Sequence, residues 1–125
     1  MALRLAIVLS SLVATPALAA SGASDPSGVW MRGDGNARVR IAPCGGNICA
    51  TNVWIGDTSG GENVGDRLVL TVSAGNEGKL VGTAYDPQRG LTYSMEMTIK
   101  PRQLQTRGCV LGGLLCKSVN WSRDD

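Results

Sequence analysis

The stretch from Leu91 to Ile99 limits the possible folds of this chain more than any other, because apolar and polar residues alternate through it without a break. Successive side chains of a strand point to opposite faces, so the alternation predicts a half-buried β-strand. The turn sequence Asp86-Pro87-Gln88-Arg89-Gly90 precedes it, and Gly90 suits the positive φ that closes such a loop. Residues 79–85 then form the antiparallel partner, and together they predict a β-hairpin.

The same pattern recurs along the chain, with short alternating segments joined by glycine-rich turns and no helical periodicity after the N-terminal region. We predict strands at residues 28–31, 37–42, 48–55, 67–72, 79–85, 91–99, 103–110 and 115–122. Roughly eight strands at this spacing indicate an all-β fold, a small antiparallel barrel, in one domain over residues 28–123. The longest polar connection, residues 56–66, holds four glycines and is expected to be the most mobile loop.

The N-terminal region has the features of a secretory signal peptide over residues 1–19. Arg4 supplies a positive charge, Leu5 to Val13 form a short apolar run, and Ala17-Leu18-Ala19 fits a cleavage site. The run is shorter than the ~20 residues that a membrane span requires, and the alternative is an uncleaved anchor. We therefore expect a periplasmic or secreted protein with a flexible lead-in at residues 20–27 and no stable membrane span after cleavage.

Charge and composition exclude several functional classes. The formal net charge is +2, and loss of Arg4 leaves about +1, so no basic patch predicts nucleic-acid binding. The chain has no histidine, which removes histidine general bases, Ser-His and Cys-His nucleophile pairs and histidine metal ligands. No cofactor, metal site or catalytic residue is predicted. Carboxylate catalysis remains open, and whether the protein is an enzyme is not decided by the sequence.

Four cysteines in a small exported chain predict two disulfides. They fall into two local pairs, Cys44 with Cys49 and Cys109 with Cys116, and each pair encloses a Gly-Gly turn. Loop entropy favours long-range bridges, at roughly 4 kcal/mol against roughly 2 for a short loop. The turns nevertheless bring each local pair together, so we favour local pairing among the three possible connectivities. A redox motif or a shared zinc site fits the spacings poorly.

Four segments of the chain together resemble an exported bacterial family, the domain of unknown function 2147. These are Gly28-Val29-Trp30, the Cys44–Cys49 turn with the following Trp54, the segment from Tyr85 to Tyr93, and Cys109 to Arg123. The resemblance covers nearly all of the chain after the signal peptide and implies no activity. A Gly-x-Trp on the first strand with an arginine on the last also resembles the calycins. That likeness implies a calycin-like barrel in which Trp30 and Arg123 close one end.

The first functional hypothesis is a non-catalytic envelope module that acts through its surface. Small calycin-like protease inhibitors are of this size, and the candidate surfaces are the 56–66 loop and the 86–90 turn. Its barrel would be filled, with Met95 and Met97 as ordinary core. A closed, dry cavity of ~300 Å3 would cost roughly 7 kcal/mol at ~24 cal/mol per Å3, most of the stability of a small domain. Its partner would be an envelope protein.

The alternative is a carrier of a small hydrophobic ligand or lipid inside the barrel, in which the two methionines would contact the ligand. Any polar site is expected beside the 86–90 turn. The candidate residues for ligand or surface binding are Tyr85, Asp86, Arg89, Tyr93, Met95 and Met97. A third hypothesis is catalysis by Asp57, Asp86 or Glu96, although no spacing forces two of them together. Lys117 breaks the apolar face of the last strand, as a residue at a barrel rim would.

Overall fold

A computed structural model of the protein describes residues 25–125, so the predicted signal peptide and most of the predicted lead-in lie outside the described residues. Within this range the chain forms eight antiparallel strands that close into an up-and-down barrel. The strands are β1 (Gly28–Arg32), β2 (Ala37–Cys44), β3 (Asn47–Ile55), β4 (Arg67–Ala74), β5 (Leu80–Asp86), β6 (Leu91–Ile99), β7 (Gln103–Val110) and β8 (Leu115–Arg123). The predicted all-β barrel is therefore confirmed.

The strand boundaries differ from the predicted ones mainly at one turn. The segment expected to turn, residues 43–47, contributes Pro43 and Cys44 to β2 and Asn47 to β3. Two glycines suffice for this hairpin because Gly45 has a φ of 68°, a conformation that glycine adopts without steric cost. Gly90 likewise has the expected positive φ, at 67°.

Each strand is paired with its neighbours along the chain, and the seam between β1 and β8 closes the barrel through Trp30 opposite Arg123. One irregularity occurs between β2 and β3, where the register shifts between Arg38 and Val39. Because consecutive strands run in opposite directions, alternate connections lie at the same end of the barrel. The turns after β2, β4 and β6 share one end with the N-terminus, and those after β1, β3, β5 and β7 lie at the other, which we call the mouth.

Trp30 and Arg123 plug the end of the barrel opposite the mouth. Trp30 is fully buried, and its indole Nε1 donates a hydrogen bond of 2.8 Å to the carbonyl of Pro26. The guanidinium carbon of Arg123 lies 4.2 Å from the centre of the Trp30 ring, within the range of a cation–π contact. Arg123 also donates to the carbonyls of Ser27, at 2.8 Å, and Pro101, at 2.9 Å. We call this arrangement the plug.

Gly28 explains why the plug requires a glycine two residues before the tryptophan. A β-carbon at this position would overlap the Nη1 atom of Arg123, and the φ of 134° is one that other residues rarely adopt. The Gly-x-Trp sequence therefore supplies both the indole and the space in which the arginine covers it. Pro26 is buried and Ser27 is partly buried, so the end of the predicted lead-in belongs to the plug.

The buried apolar core lies next to the plug. Its members are Trp30, Val39, Ile41, Leu70, Ala84, Met97 and Leu104, from six of the strands. The helical segments of residues 25–125 are three-residue 3-10 turns, and none of them is long and apolar enough to cross a membrane. Ala37 and Ile55 are also buried, at the mouth ends of β2 and β3, so buried apolar side chains occur at both ends of the barrel.

Candidate functional site

A cavity of about 470 Å3 lies inside the barrel between the core and the mouth. Trp30 and Met97 contribute to its inner end, and Leu68, Met95 and Trp121 contribute to its walls. The indole Nε1 of Trp121 donates to the hydroxyl of Thr106 at 3.0 Å. No buried side-chain nitrogen or oxygen within residues 25–125 lacks a hydrogen-bond partner. The walls therefore present apolar surface to whatever occupies the cavity.

The cavity bears on whether the interior is filled or hollow, which the sequence left open. The energetic argument for filling applied to a closed, dry cavity, whose lining loses contacts on every side. Here the lining continues to the exposed residues Arg67, Gln88 and Lys117, so the cavity reaches solvent at the mouth. Water can occupy the polar part of such a space, and the cost of the empty volume is correspondingly smaller.

An ion-pair network lies on one side of the mouth. The guanidinium of Arg32 bonds both oxygens of Glu62, at 2.5 and 2.9 Å, and its Nε bonds Asp34 at 3.0 Å. The hydrogen bonds from Arg32 lower the pKa of Glu62 and of Asp34 below their ordinary values, and Glu62 in turn raises the pKa of Arg32. Since Arg32 follows the buried Trp30 by two residues, strand alternation directs it to the inner face.

The loop at residues 56–66, which carries Glu62, is anchored on both sides. Asn36 donates to the carbonyl of Asp57 at 3.1 Å and accepts from its N–H at 2.7 Å. Asn52 donates to the carbonyl of Asn63 at 3.2 Å. With the bidentate pair to Arg32, these contacts tie the loop to β1, to β3 and to the turn between β1 and β2. The sequence led us to expect the most mobile loop here, and its mobility stays a prediction.

Asp86 organises the turn between β5 and β6, which also lies at the mouth. Its side chain is buried, at 3% exposure, and accepts hydrogen bonds from the backbone N–H of Gln88 at 2.9 Å and of Arg89 at 3.1 Å. The side chains of Gln88 and Arg89 donate to it as well, at 2.7 and 2.8 Å. Burial alone would raise the pKa of Asp86, but the bonds from Arg89 and Gln88 outweigh it and lower the pKa.

Gln88 extends this turn to the neighbouring strand. Its side-chain oxygen accepts from the N–H of Arg67 at 2.9 Å, and its Nε2 donates to the carbonyl of Arg67 at 2.9 Å. Asp86, Gln88 and the start of β4 are therefore one hydrogen-bonded unit. This unit fixes the edge of the mouth.

The residues predicted for ligand or surface binding divide into two groups. Asp86, Arg89, Tyr93, Met95 and Met97 line the cavity. Tyr85 does not, because it lies between the inward-facing Ala84 and Asp86 and so points outward, where it is exposed. Tyr85 therefore lies outside this lining, and a part for it in surface binding stays a prediction. The space beside Asp86 and Tyr93 is the mouth of a largely apolar cavity.

The three carboxylates considered for catalysis have different partners and do not form one site. Asp57 is exposed and caps a 3-10 turn by accepting from Ser59 at 2.9 Å, which lowers its pKa. Glu96 is exposed on the outer face and lies 3.5 Å from Lys79. Asp86 is committed to the turn described above. Within residues 25–125 no three histidine, cysteine or acidic side chains are grouped so that they could hold a metal ion.

The cysteines form the local disulfides Cys44–Cys49 and Cys109–Cys116. The first staples the turn between β2 and β3 at the plug end, and the second staples the turn between β7 and β8 at the mouth. Disulfides of this kind are typical of proteins that fold outside the reducing cytoplasm.

Sequence reasoning missed several residues of the mouth, among them Glu62, Gln88 and Asn52. Arg32 and Lys117 carried a signal, since each is a charge in phase with apolar inner-face residues at the end of a strand. Glu62 carried none, because alternation does not extend into an irregular loop and cannot tell which strand that loop will meet.

The fold and site together define an up-and-down barrel that a tryptophan–arginine plug closes at one end and that holds an apolar cavity open at the other. A family model described as an uncharacterized protein conserved in bacteria, domain of unknown function 2147, matches residues 28–123. The chain belongs to this family, as its sequence segments indicated. No curated protein and no solved structure matches the chain.

Proposed function

We propose that this protein is a non-catalytic binding protein that takes a small apolar or amphipathic ligand into its barrel. The observation that carries the proposal is the cavity of about 470 Å3 between the core and the mouth. Cavities of ~300–1,000 Å3 with mostly apolar walls and a few polar groups are the usual form of small-molecule sites. Met95 contributes a flexible thioether to the walls, and such side chains adapt to irregular apolar ligands. Met97, which is 1% exposed, lies beneath the wall as part of the core.

The chemistry of the lining favours binding over catalysis. Asp86 is the carboxylate buried beside the cavity, and its hydrogen bonds with Gln88 and Arg89 keep it charged. A general acid or base at neutral pH needs a pKa closer to 7, which burial without such partners would give. Asp86 is therefore suited to holding the mouth in shape.

A cavity-filling substitution tests the proposal. Gly108 lines the cavity, and a β-carbon there would meet no atom closer than 3.9 Å, so Gly108→Leu fills space without forcing the backbone. We expect wild-type protein to bind the neutral fluorescent probe N-phenylnaphthylamine and Gly108→Leu to lose most of that binding. Ser118→Leu, on the outer face opposite Arg107, is the matched control and should bind as the wild type does.

Native mass spectrometry provides an independent measurement on protein purified without denaturation from its source cells. A bound species of lipid-like mass that is absent from Gly108→Leu is the expected result. A bare mass in every preparation, together with probe binding that Gly108→Leu leaves unchanged, would rule out an internal ligand.

A second proposal, a surface interaction module, is favoured by the tip of the β7–β8 turn. Leu111, Leu114 and Leu115 are 67%, 83% and 59% exposed there, at the mouth end of the barrel. Neighbouring exposed leucines of this kind are typical of contact surfaces. The partner would be an envelope protein that meets the mouth.

Site-specific photocrosslinking tests this surface. A crosslinker at position 114 should trap a defined partner in cells, and Leu111→Ser should abolish the adduct. A crosslinker at Asn76, at the plug end, is the control. Equal adducts from the two positions, or none from either, would contradict the surface proposal.

We also propose that residues 1–19 are removed on export and that the mature protein is periplasmic or secreted. The two disulfides favour an oxidising compartment. N-terminal sequencing of the mature protein should begin at Ala20 or Ser21, and fractionation should find it outside the cytoplasm. An intact Met1 in the purified protein would contradict this.

A further inference from the structure

Lys117 brings a positive charge to the inner face of β8 near the mouth. It alternates in phase with Val119 and Trp121, and all three residues line the cavity. The register places Lys117 opposite Gly108 on β7, and Gly108 opposite Met95 on β6. Because glycine has no side chain, this layer of the barrel contains a gap directly beside the lysine.

Lys117 makes no direct ion pair in the described part of the chain, although its charge acts on the nearby Asp34. Arg32 is paired with Glu62, and Arg89 is paired with Asp86 at 2.8 Å. Within residues 25–125 no ion pair or hydrogen bond engages the ammonium group of Lys117. It contributes to the lowered pKa of Asp34, but Asp34 bonds directly to Arg32.

By number, the lining carries four basic and three acidic residues, and this excess disappears if Arg67, which points outward, is not counted. Its basic residues are Arg32, Arg67, Arg89 and Lys117, and its acidic residues are Glu62, Asp66 and Asp86. Arg67 is outside any ion pair in the described part of the chain too, but it precedes the inward-facing Leu68 and so points away from the interior. Among the lining residues that the structure describes, Lys117 is thus a cation that faces the cavity and makes no direct ion pair.

Tyr93 supplies a second polar group on the far side of the same gap. Its side chain lines the cavity, and a β-carbon at Gly108 would lie 3.9 Å from the β-carbon of Tyr93. In the described residues its hydroxyl takes part in no hydrogen bond. A phenol that donates and an ammonium that donates therefore flank a space with apolar walls below it.

We propose that Lys117 and Tyr93 bind the anionic head group of a single-chain amphiphile whose apolar tail fills the cavity. The inference rests on the proposed internal ligand and specifies its class, a carboxylate or phosphate on a hydrocarbon chain. An ammonium on a flexible stem suits such a head group, because it can follow the position that the tail dictates. The charge-assisted bond orients the ligand with its head at the mouth.

Isothermal titration with four probes of equal chain length tests this assignment. The probes are dodecanoate, dodecyl phosphate, neutral dodecanol and cationic dodecyltrimethylammonium, each below its micelle concentration. Wild-type protein should bind the two anions about tenfold or more tighter than dodecanol, which corresponds to ~1.4 kcal/mol, and the cation most weakly. The two anions compared with each other distinguish carboxylate from phosphate.

The variants assign the effect to these side chains. Lys117→Met should lose about tenfold in affinity for the anions and leave dodecanol binding unchanged. Tyr93→Phe should lose about twofold to tenfold for the anions, the range of a single hydrogen bond. Lys100→Met, in the exposed turn after β6 at the plug end, is the matched control and should bind all four probes as the wild type does.

The possible failures are distinguishable. If dodecanol binds and the anions bind no tighter, or if Lys117→Met lowers all affinities equally, the head-group assignment is wrong while the internal ligand stands. If none of the four probes binds, both proposals are wrong. Inorganic phosphate binding as tightly as dodecyl phosphate would overturn the amphiphile class, because the tail would then contribute nothing.

Discussion

Each end of the barrel holds an arginine in a network of contacts, but the partners of the two arginines differ in kind. At the plug, Arg123 covers Trp30 and bonds the backbone carbonyls of Ser27 and Pro101. At the mouth, Arg32 bonds the carboxylates of Glu62 and Asp34. Carbonyl partners keep their charge state at any pH, whereas carboxylate partners are lost on protonation. We therefore expect substitutions at the plug to lower the free energy of unfolding most, and carboxylates at the mouth to make it depend on pH.

The largest expected effect on stability comes from a substitution at the plug. Trp30→Ala removes a fully buried indole and its bond to Pro26, and we expect a loss of ~3–5 kcal/mol in the free energy of unfolding. Urea denaturation measures it. Trp54→Ala, which truncates an exposed indole on the outer face, should cost ~1 kcal/mol or less.

If Trp30→Ala does not fold, Trp30→Phe can replace it. This variant keeps a smaller aromatic ring but loses the hydrogen bond to Pro26, and it should remain measurably less stable than wild type. If Trp30→Phe, Trp54→Ala and the wild type were equally stable, the plug would not contribute measurably to stability.

The cation of the plug is the next test. Arg123→Met should destabilise the protein by ~2–3 kcal/mol, because the cation–π contact and two hydrogen bonds from a charged donor are lost together. Thermal and urea unfolding both measure this loss.

Gly28→Ala should also lower the stability, since its β-carbon would occupy the position of the Arg123 guanidinium. Arg107→Met, exposed on the outer face of β7, is the control, and a loss there as large as at Arg123 would contradict the assignment.

At the mouth, the free energy of unfolding should depend on pH through Asp86. The folded-state pKa of Asp86 is lowered, so its carboxylate contributes stability that is fully present above the unfolded pKa of ~3.9 and is lost as pH falls through the lower folded value. Asp86→Asn should cost ~1–2 kcal/mol at pH 7, from weakened bonds with Arg89 and Gln88. The difference between wild type and variant should shrink as the pH falls below about 4.

Urea denaturation as a function of pH provides the measurement, and the difference between the two curves isolates Asp86 from the other acids of the mouth. A difference that stays constant down to pH 2 would mean that the carboxylate charge does not stabilise the fold.

The smallest effect on stability is expected at the loop. Glu62→Gln weakens a partly exposed ion pair, for which a loss of ~1 kcal/mol or less is usual. Amide hydrogen exchange should nevertheless speed up in residues 57–65, because the tether to Arg32 is weakened. Glu77→Gln, in the turn at the plug end, is the control. Unchanged exchange in Glu62→Gln would show that Asn36 and Asn52 hold the loop unaided.

The sequence allowed most of the fold to be predicted, because alternation is a local property that each strand carries in its own residues. Met95 and Met97 could be assigned to the inner face from β6 alone, and Trp30 and Arg123 from the family resemblance. The cavity could not be predicted, since it depends on how far apart opposite walls lie. Proximity to Asp86 in sequence did not decide whether Tyr85 lines the cavity, because adjacent residues of a strand face opposite ways.

The two disulfides have a consequence for how the chain matures. Each joins cysteines only five or seven positions apart, and the two bridges sit at opposite poles of the barrel. A disulfide between the two pairs would have to join cysteines at opposite ends of the barrel, so the folded protein is compatible only with the local pairing. Each bridge can form as soon as its own hairpin has formed, and correct oxidation does not have to await the meeting of the first and last strands.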